Sequence, residues 1–106
     1  MRKKTSEARS AKRVLAKITG PLTIGAALNA IRLGEEQSLE KFAARLKVTR
    51  AHLCDIEKGR RGVAPERAAS WARALGYSQT QFVRLALQAV LDDAGLDLTV
   101  EVRAAS

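Results

Sequence analysis

From Ile24 onward, apolar residues recur at spacings of three and four, the period of an amphipathic helix, in five successive stretches. Ile24, Ala27, Leu28 and Ile31 form the first stripe, with Thr23 as its N-cap and the polar run Gly34-Glu35-Glu36-Gln37 as its end. Ser38 caps a second helix, LEKFAARL, with Leu39, Phe42, Ala43 and Leu46 on one face. Only Lys47 and Val48 separate it from the next cap, Thr49, and from a third helix, RAHLCDIEK, that stops at Gly59. Pro65, whose missing N–H costs nothing in a first turn, opens a fourth helix with Ala68, Trp71, Ala72 and Leu75 inward, and Gly76 ends it. Ser78 and Gln81 form a capping box for a fifth, in which Phe82, Leu85, Ala86, Ala89 and Val90 face the core until Gly95.

The pattern changes at both ends. LDLTVEV sets Leu96, Leu98, Val100 and Val102 in alternation with Asp97, Thr99 and Glu101, the period of a half-buried strand. No other stretch reads as a strand, so its simplest partner is the same segment of a second copy, which predicts a dimerisation strand; a frayed tail is the alternative. In residues 1–20, Ala11, Val14, Leu15 and Ile18 follow helical spacing up to the stop at Gly20-Pro21, and two readings stay open there, a helix and a disordered basic tail. The expected architecture is all-α. A basic N-terminal arm or helix occupies 1–20, a five-helix domain 21–94, and a C-terminal β-strand for dimerisation 95–106.

Composition agrees with one small helical domain: the chain has 106 residues, 46% of them hydrophobic but only 4% aromatic, so its core must be built from Ala, Leu, Val and Ile. Charge adds a partner class. The formal net charge is +8, the balance of a nucleic-acid or anionic-surface binder. Residues 1–20 supply +6 of it, with Arg2, Lys3, Lys4, Arg9, Lys12, Arg13 and Lys17 against Glu7 alone. One cysteine allows no internal disulfide, no apolar run is long enough to span a bilayer, and the N-terminus lacks the pattern of a signal peptide. The expected setting is cytoplasmic, with no membrane partner.

Within RLKVTRAHLCDIEKGRR, the grouping of His52, Cys54, Asp55 and Glu57 first suggests a metal or catalytic cluster. At 100° per residue, however, His52 and Cys54 lie about 200° apart, and no second His or Cys completes a ligand set. No glycine-rich phosphate loop or carboxylate pair in an apolar setting accompanies them, so the chain is expected not to be an enzyme and to need no metal or cofactor. On the same wheel Ile56, Thr49 and Glu57 fall within about 60° of Leu53, with Ala51, Asp55 and Lys58 opposite. Glu57 therefore sits at the edge of the buried face, where a carboxylate needs a cation, and Arg32 on the first helix is the candidate for a structural ion pair.

Two short helices joined by a tight turn, the second anchored on one side and polar on the other, make a helix-turn-helix. The stretch SLEKFAARLKVTRAHLCDIEKGRR, with Ala43, Leu46, Val48, Leu53 and Ile56 at the seam and the terminal I-E-K-G, resembles the lambda repressor/Cro-like (XRE) family of bacterial regulators over roughly Thr23 to Gly76. That resemblance implies double-stranded DNA as partner and base-edge contacts from Arg50, Ala51 and Asp55: Arg50 to a guanine, Ala51 to a thymine methyl, Asp55 to a cytosine amine. It implies phosphate contacts from Ser38, His52, Lys58, Arg60 and Arg61. It also puts the family's ion pair between first and third helices on Arg32 and Glu57. Two positions depart from the family's pattern. Leu39 stands where Gln is usual, and Lys47 where the turn favours Gly, at a cost of about 1 kcal/mol if φ is positive there, offset by a phosphate contact.

The function expected is a homodimeric, sequence-specific repressor on a palindromic operator, with residues 1–20 as an arm along phosphates or in a minor groove. The alternative is an antitoxin that neutralises a toxin protein and represses its own operon. The apolar stripe of residues 1–20 and the acids Asp92, Asp93 and Asp97 would serve that partner.

Overall fold

The computed structural model describes residues 22–105, and the arm or helix expected over residues 1–20 lies outside them. Five α-helices follow one another: α1 (Ile24–Gly34), α2 (Leu39–Leu46), α3 (Arg50–Glu57), α4 (Pro65–Leu75) and α5 (Gln79–Asp93). Each starts as its cap residue dictates. The hydroxyls of Thr23, Ser38, Thr49 and Ser78 accept from the backbone N–H three residues on, at 3.0, 3.1, 3.1 and 3.3 Å. At α5 the capping box is only half made, because the Gln81 side chain accepts from Arg84 rather than reaching back to Ser78. Pro65 opens α4 without a side-chain cap, and Gly76, at φ 78°, closes it.

The core runs through all five helices. Phe42, Leu28, Ile31, Leu53 and Ile56 are its largest fully buried side chains, each contributing about 1.5–3 kcal/mol of apolar burial. Trp71 joins α4 to α2 by donating its indole N–H to the Leu46 carbonyl at 3.1 Å, which satisfies both a buried donor and an orphan carbonyl at a helix end. Val90, read as inward-facing, is 60% exposed, and Ala89 is half-buried. The buried face of α5 is thus confined to Phe82, Leu85 and Ala86.

The C-terminal β-strand is not present: no strand occurs among the described residues. Leu96, Leu98, Val100 and Val102 lie in a tail without regular secondary structure that comes back to Gln88 of α5. Gln88 donates through Nε2 to the Leu98 carbonyl at 2.8 Å, and its Oε1 accepts from the Val100 N–H at 2.9 Å. A side-chain amide thus supplies the donor and acceptor that a neighbouring strand would have offered, at the alternate positions a strand would have used. Leu96 and Leu98 remain 48% and 57% exposed.

The approach of α1 to α3 depends on a missing side chain. A Cβ on Gly25 would overlap the Ile56 carbonyl group and fall 3.2 Å from the Glu57 Cα. Because both obstacles are backbone, Gly25→Ala must push the helices apart, and it is expected to cost about 1–3 kcal/mol, seen as a lower denaturant midpoint with an unchanged slope.

Candidate nucleic-acid interface

The third helix is held by its inner face. Leu53 and Ile56 are buried in the core, and Glu57 points its carboxylate into the α1 seam with only 6% of its side chain exposed. Arg32 meets it through two bonds, Nε to Oε2 at 2.8 Å and Nη2 to Oε1 at 3.0 Å. Asn29 adds a third, Nδ2 to Oε1 at 2.9 Å. The hydrogen bonds to Glu57 raise the Arg32 pKa above its ordinary value despite partial burial. Arg32 also donates to the Gln37 carbonyl at 3.1 Å, so one guanidinium ties α3 to the loop that leads into α2. Asn29 escaped the sequence reading because nothing in its spacing separates it from an ordinary polar residue on α1.

Between α2 and α3, Lys47 adopts the left-handed conformation, φ 60° and ψ 40°, and its amide together with that of Val48 bonds back to Ala44 and Ala43 at 3.2 and 3.0 Å. A non-glycine residue there costs about 1 kcal/mol. The loop before α2 makes its turn in the same way at Glu36, φ 53°, rather than at Gly34. Leu39 is half-buried against the core, so its side chain supports the fold rather than the outer surface.

The outer face of this unit carries the remaining expected residues. Arg50 and Ala51, in the first turn of α3, are exposed, as are Ser38, Lys47, Lys58, Arg60 and Arg61. Ser38 already accepts from Lys41 N–H as the cap of α2, which leaves its hydroxyl proton free to donate. Asp55 is half-buried and lies 3.6 Å from Arg60, an exposed pair that a competing anion can open. His52 is half-buried on the flank, and its pKa is lowered by that burial first and then by the positive charges of Arg61 and Arg67. Arg67, over the Trp71 ring at 5.9 Å, therefore contributes to the same positive field, although its place on α4 hid it from a reading centred on α3. Cys54 is half-buried, and among the described residues no three of His, Cys, Asp and Glu converge as metal ligands. No helix of the described residues is long and apolar enough to cross a membrane.

An eight-residue helix, a three-residue turn with one left-handed residue, and a second eight-residue helix with one face buried define a helix-turn-helix domain. Residues 30–81 match the family model described as Helix-turn-helix. That match supports a lambda repressor/Cro-like (XRE) helix-turn-helix DNA-binding protein of the transcription-regulator type. No curated protein and no solved structure matches it.

Relief of the Lys47 conformation predicts that Lys47→Gly stabilises the protein by about 0.5–1 kcal/mol in denaturant unfolding, since glycine meets no Cβ penalty at positive φ. Because the folded pKa of His52 lies below its ordinary 6.5, the unfolded chain binds the proton more tightly. Folding stability should fall as pH drops from just above 6.5 through the lower folded value. His52→Gln should remove that part of the slope in melts taken at successive pH values.

Proposed function

We propose that the protein is a repressor that reads a specific operator through α3, with Arg50, Ala51 and Asp55 at base edges and Ser38, Lys47, His52, Lys58, Arg60 and Arg61 at phosphates. The observation that carries this is the two-sidedness of α3: Leu53, Ile56 and Glu57 fix its inner face in the core and seam, while Arg50 and Ala51 stand exposed at its N-terminal end. An N-terminal first turn forward in the major groove also directs free backbone N–H groups toward phosphate. Two copies would sit on a palindrome with their third helices about 34 Å apart. Since the C-terminal strand is absent, that homodimer would be assembled by the DNA and by helix contacts. Domain 21–94 would be the reading unit, residues 1–20 an added source of salt-dependent affinity, and the setting the bacterial cytoplasm, on the nucleoid.

An antitoxin role is compatible with this reading, because the exposed Val90, Leu96 and Leu98 lie on α5 and the tail, elements separate from α3. A toxin-like reading frame beside this one in the same operon would favour it.

Selection of bound sites from random duplex DNA, at two salt concentrations, tests the proposal. Arg50→Ala should relax preference at one operator position by about 1–3 kcal/mol, whereas Arg61→Ala should weaken all sites alike and reduce the salt slope by about one. An unchanged site profile for Arg50→Ala would remove the assignment of α3 as the reading helix.

A further inference from the structure

The first half of α5 and the start of α1 enclose a groove that the DNA-binding reading does not use. Its volume is about 370 Å³, and its floor is apolar, made by Ala27 of α1 and by Phe82 and Leu85 of α5, with half-buried Leu22 at one side. Tyr77 stands against Phe82, ring centroids 6.0 Å apart and planes tilted by 33°, so one wall is a pair of aromatic rings. None of the residues that line the groove belongs to α2 or α3, and none is an acid.

Arg84 is the charged residue of this lining. It is half-buried, yet no carboxylate pairs with it among the described residues. Its partner there is neutral: Nε and Nη2 both donate to Gln81 Oε1, at 3.1 and 3.0 Å. A guanidinium holds five N–H groups in one rigid plane, and this contact engages two of them, along the side of the fork. The end of the fork, formed by Nη1 and the second N–H of Nη2, is engaged by no described residue, and that edge takes a carboxylate through two parallel bonds. A cation partly withdrawn from water beside a neutral amide is half of an ion pair. With no second cation in the lining, the charge it matches is a single negative one, which favours a carboxylate over a phosphate dianion. Size narrows the class further. A dry cavity of about 150 Å³ holds one benzene ring, so this groove has room for a body of about two rings.

We propose that the groove binds a small aromatic monocarboxylate, with its rings on Tyr77, Phe82 and Leu85 and its carboxylate on the end of the Arg84 fork. An apolar floor with one convergent polar group that fixes orientation is the ordinary make-up of a small-molecule site. The occupant touches α1 at Ala27, which lies in sequence between Gly25 and Asn29, the residues that set the distance of α1 from α3 and its bond to Glu57. The binding stands without the operator reading.

Titration of the full chain without DNA, followed by ¹⁵N NMR, tests it with 2-naphthylacetate and its uncharged analogue 2-naphthylacetamide. The carboxylate should saturate with a dissociation constant of about 1 mM or lower, shifting the amides of Tyr77, Phe82 and Leu85 and the Nε–H of Arg84. The uncharged analogue should bind about tenfold more weakly. Two substitutions should bring the two affinities together. Arg84→Gln removes the cation, and Gln81→Glu, on an exposed side chain already bonded to Arg84, neutralises it from within. Absence of saturation, equal affinities in the native chain, a tenfold difference kept by either variant, or shifts gathered away from the groove would each overturn the proposal. None of these results bears on α3 as the reading helix.

Discussion

The presentation of α3 depends on one buried carboxylate. Glu57 is almost entirely out of water, and a charge placed there is tolerable only because Arg32 and Asn29 fill its lone pairs with three short bonds. The bidentate contact is directional, so it sets the rotation of α3 about its axis, which a greasy contact at the same place would leave loose. Gly25 sets the other coordinate, the separation of α1 and α3, by letting the Ile56 backbone come close. With rotation and distance both fixed on the inner side, the direction of Arg50 and Ala51 on the outer side follows.

The same guanidinium extends the constraint to α2 through the Gln37 carbonyl, and Trp71 extends it to α4 through the Leu46 carbonyl. Loops that join these helices are short, and two of them turn through non-glycine residues in the left-handed region, Glu36 and Lys47. A chain that accepts that conformational cost at Lys47 retains an exposed ammonium at the turn in return, where a glycine would have had none.

Helix starts were legible in the sequence because a cap is a local event: a hydroxyl reaches the amide three residues on, whatever surrounds it. The Arg32 and Glu57 pairing was legible too, since a wheel places Glu57 at the core edge and burial then demands a cation. Asn29 and Gly25 were not, because a third partner for a carboxylate and a close backbone approach arise only when two helices meet. The tail was misread for a related reason. Alternation of Leu96, Leu98, Val100 and Val102 reports an extended backbone with two unlike sides, and does not say what satisfies that backbone; Gln88, one amide on a distant turn of helix, takes the place of a strand. Val90 was misassigned because α5 carries two apolar stripes, and periodicity alone does not tell which is inward.

Charge is segregated along this chain. Bases gather in residues 1–20 and on the surface around α3, and acids on the far half of α5 and the tail. A uniform positive balance would serve association with any polyanion, but it would also hold the protein on nonspecific DNA. Because most of the net charge lies in residues 1–20, that general attraction is carried largely outside α3, whose own geometry is fixed by Glu57 and Gly25.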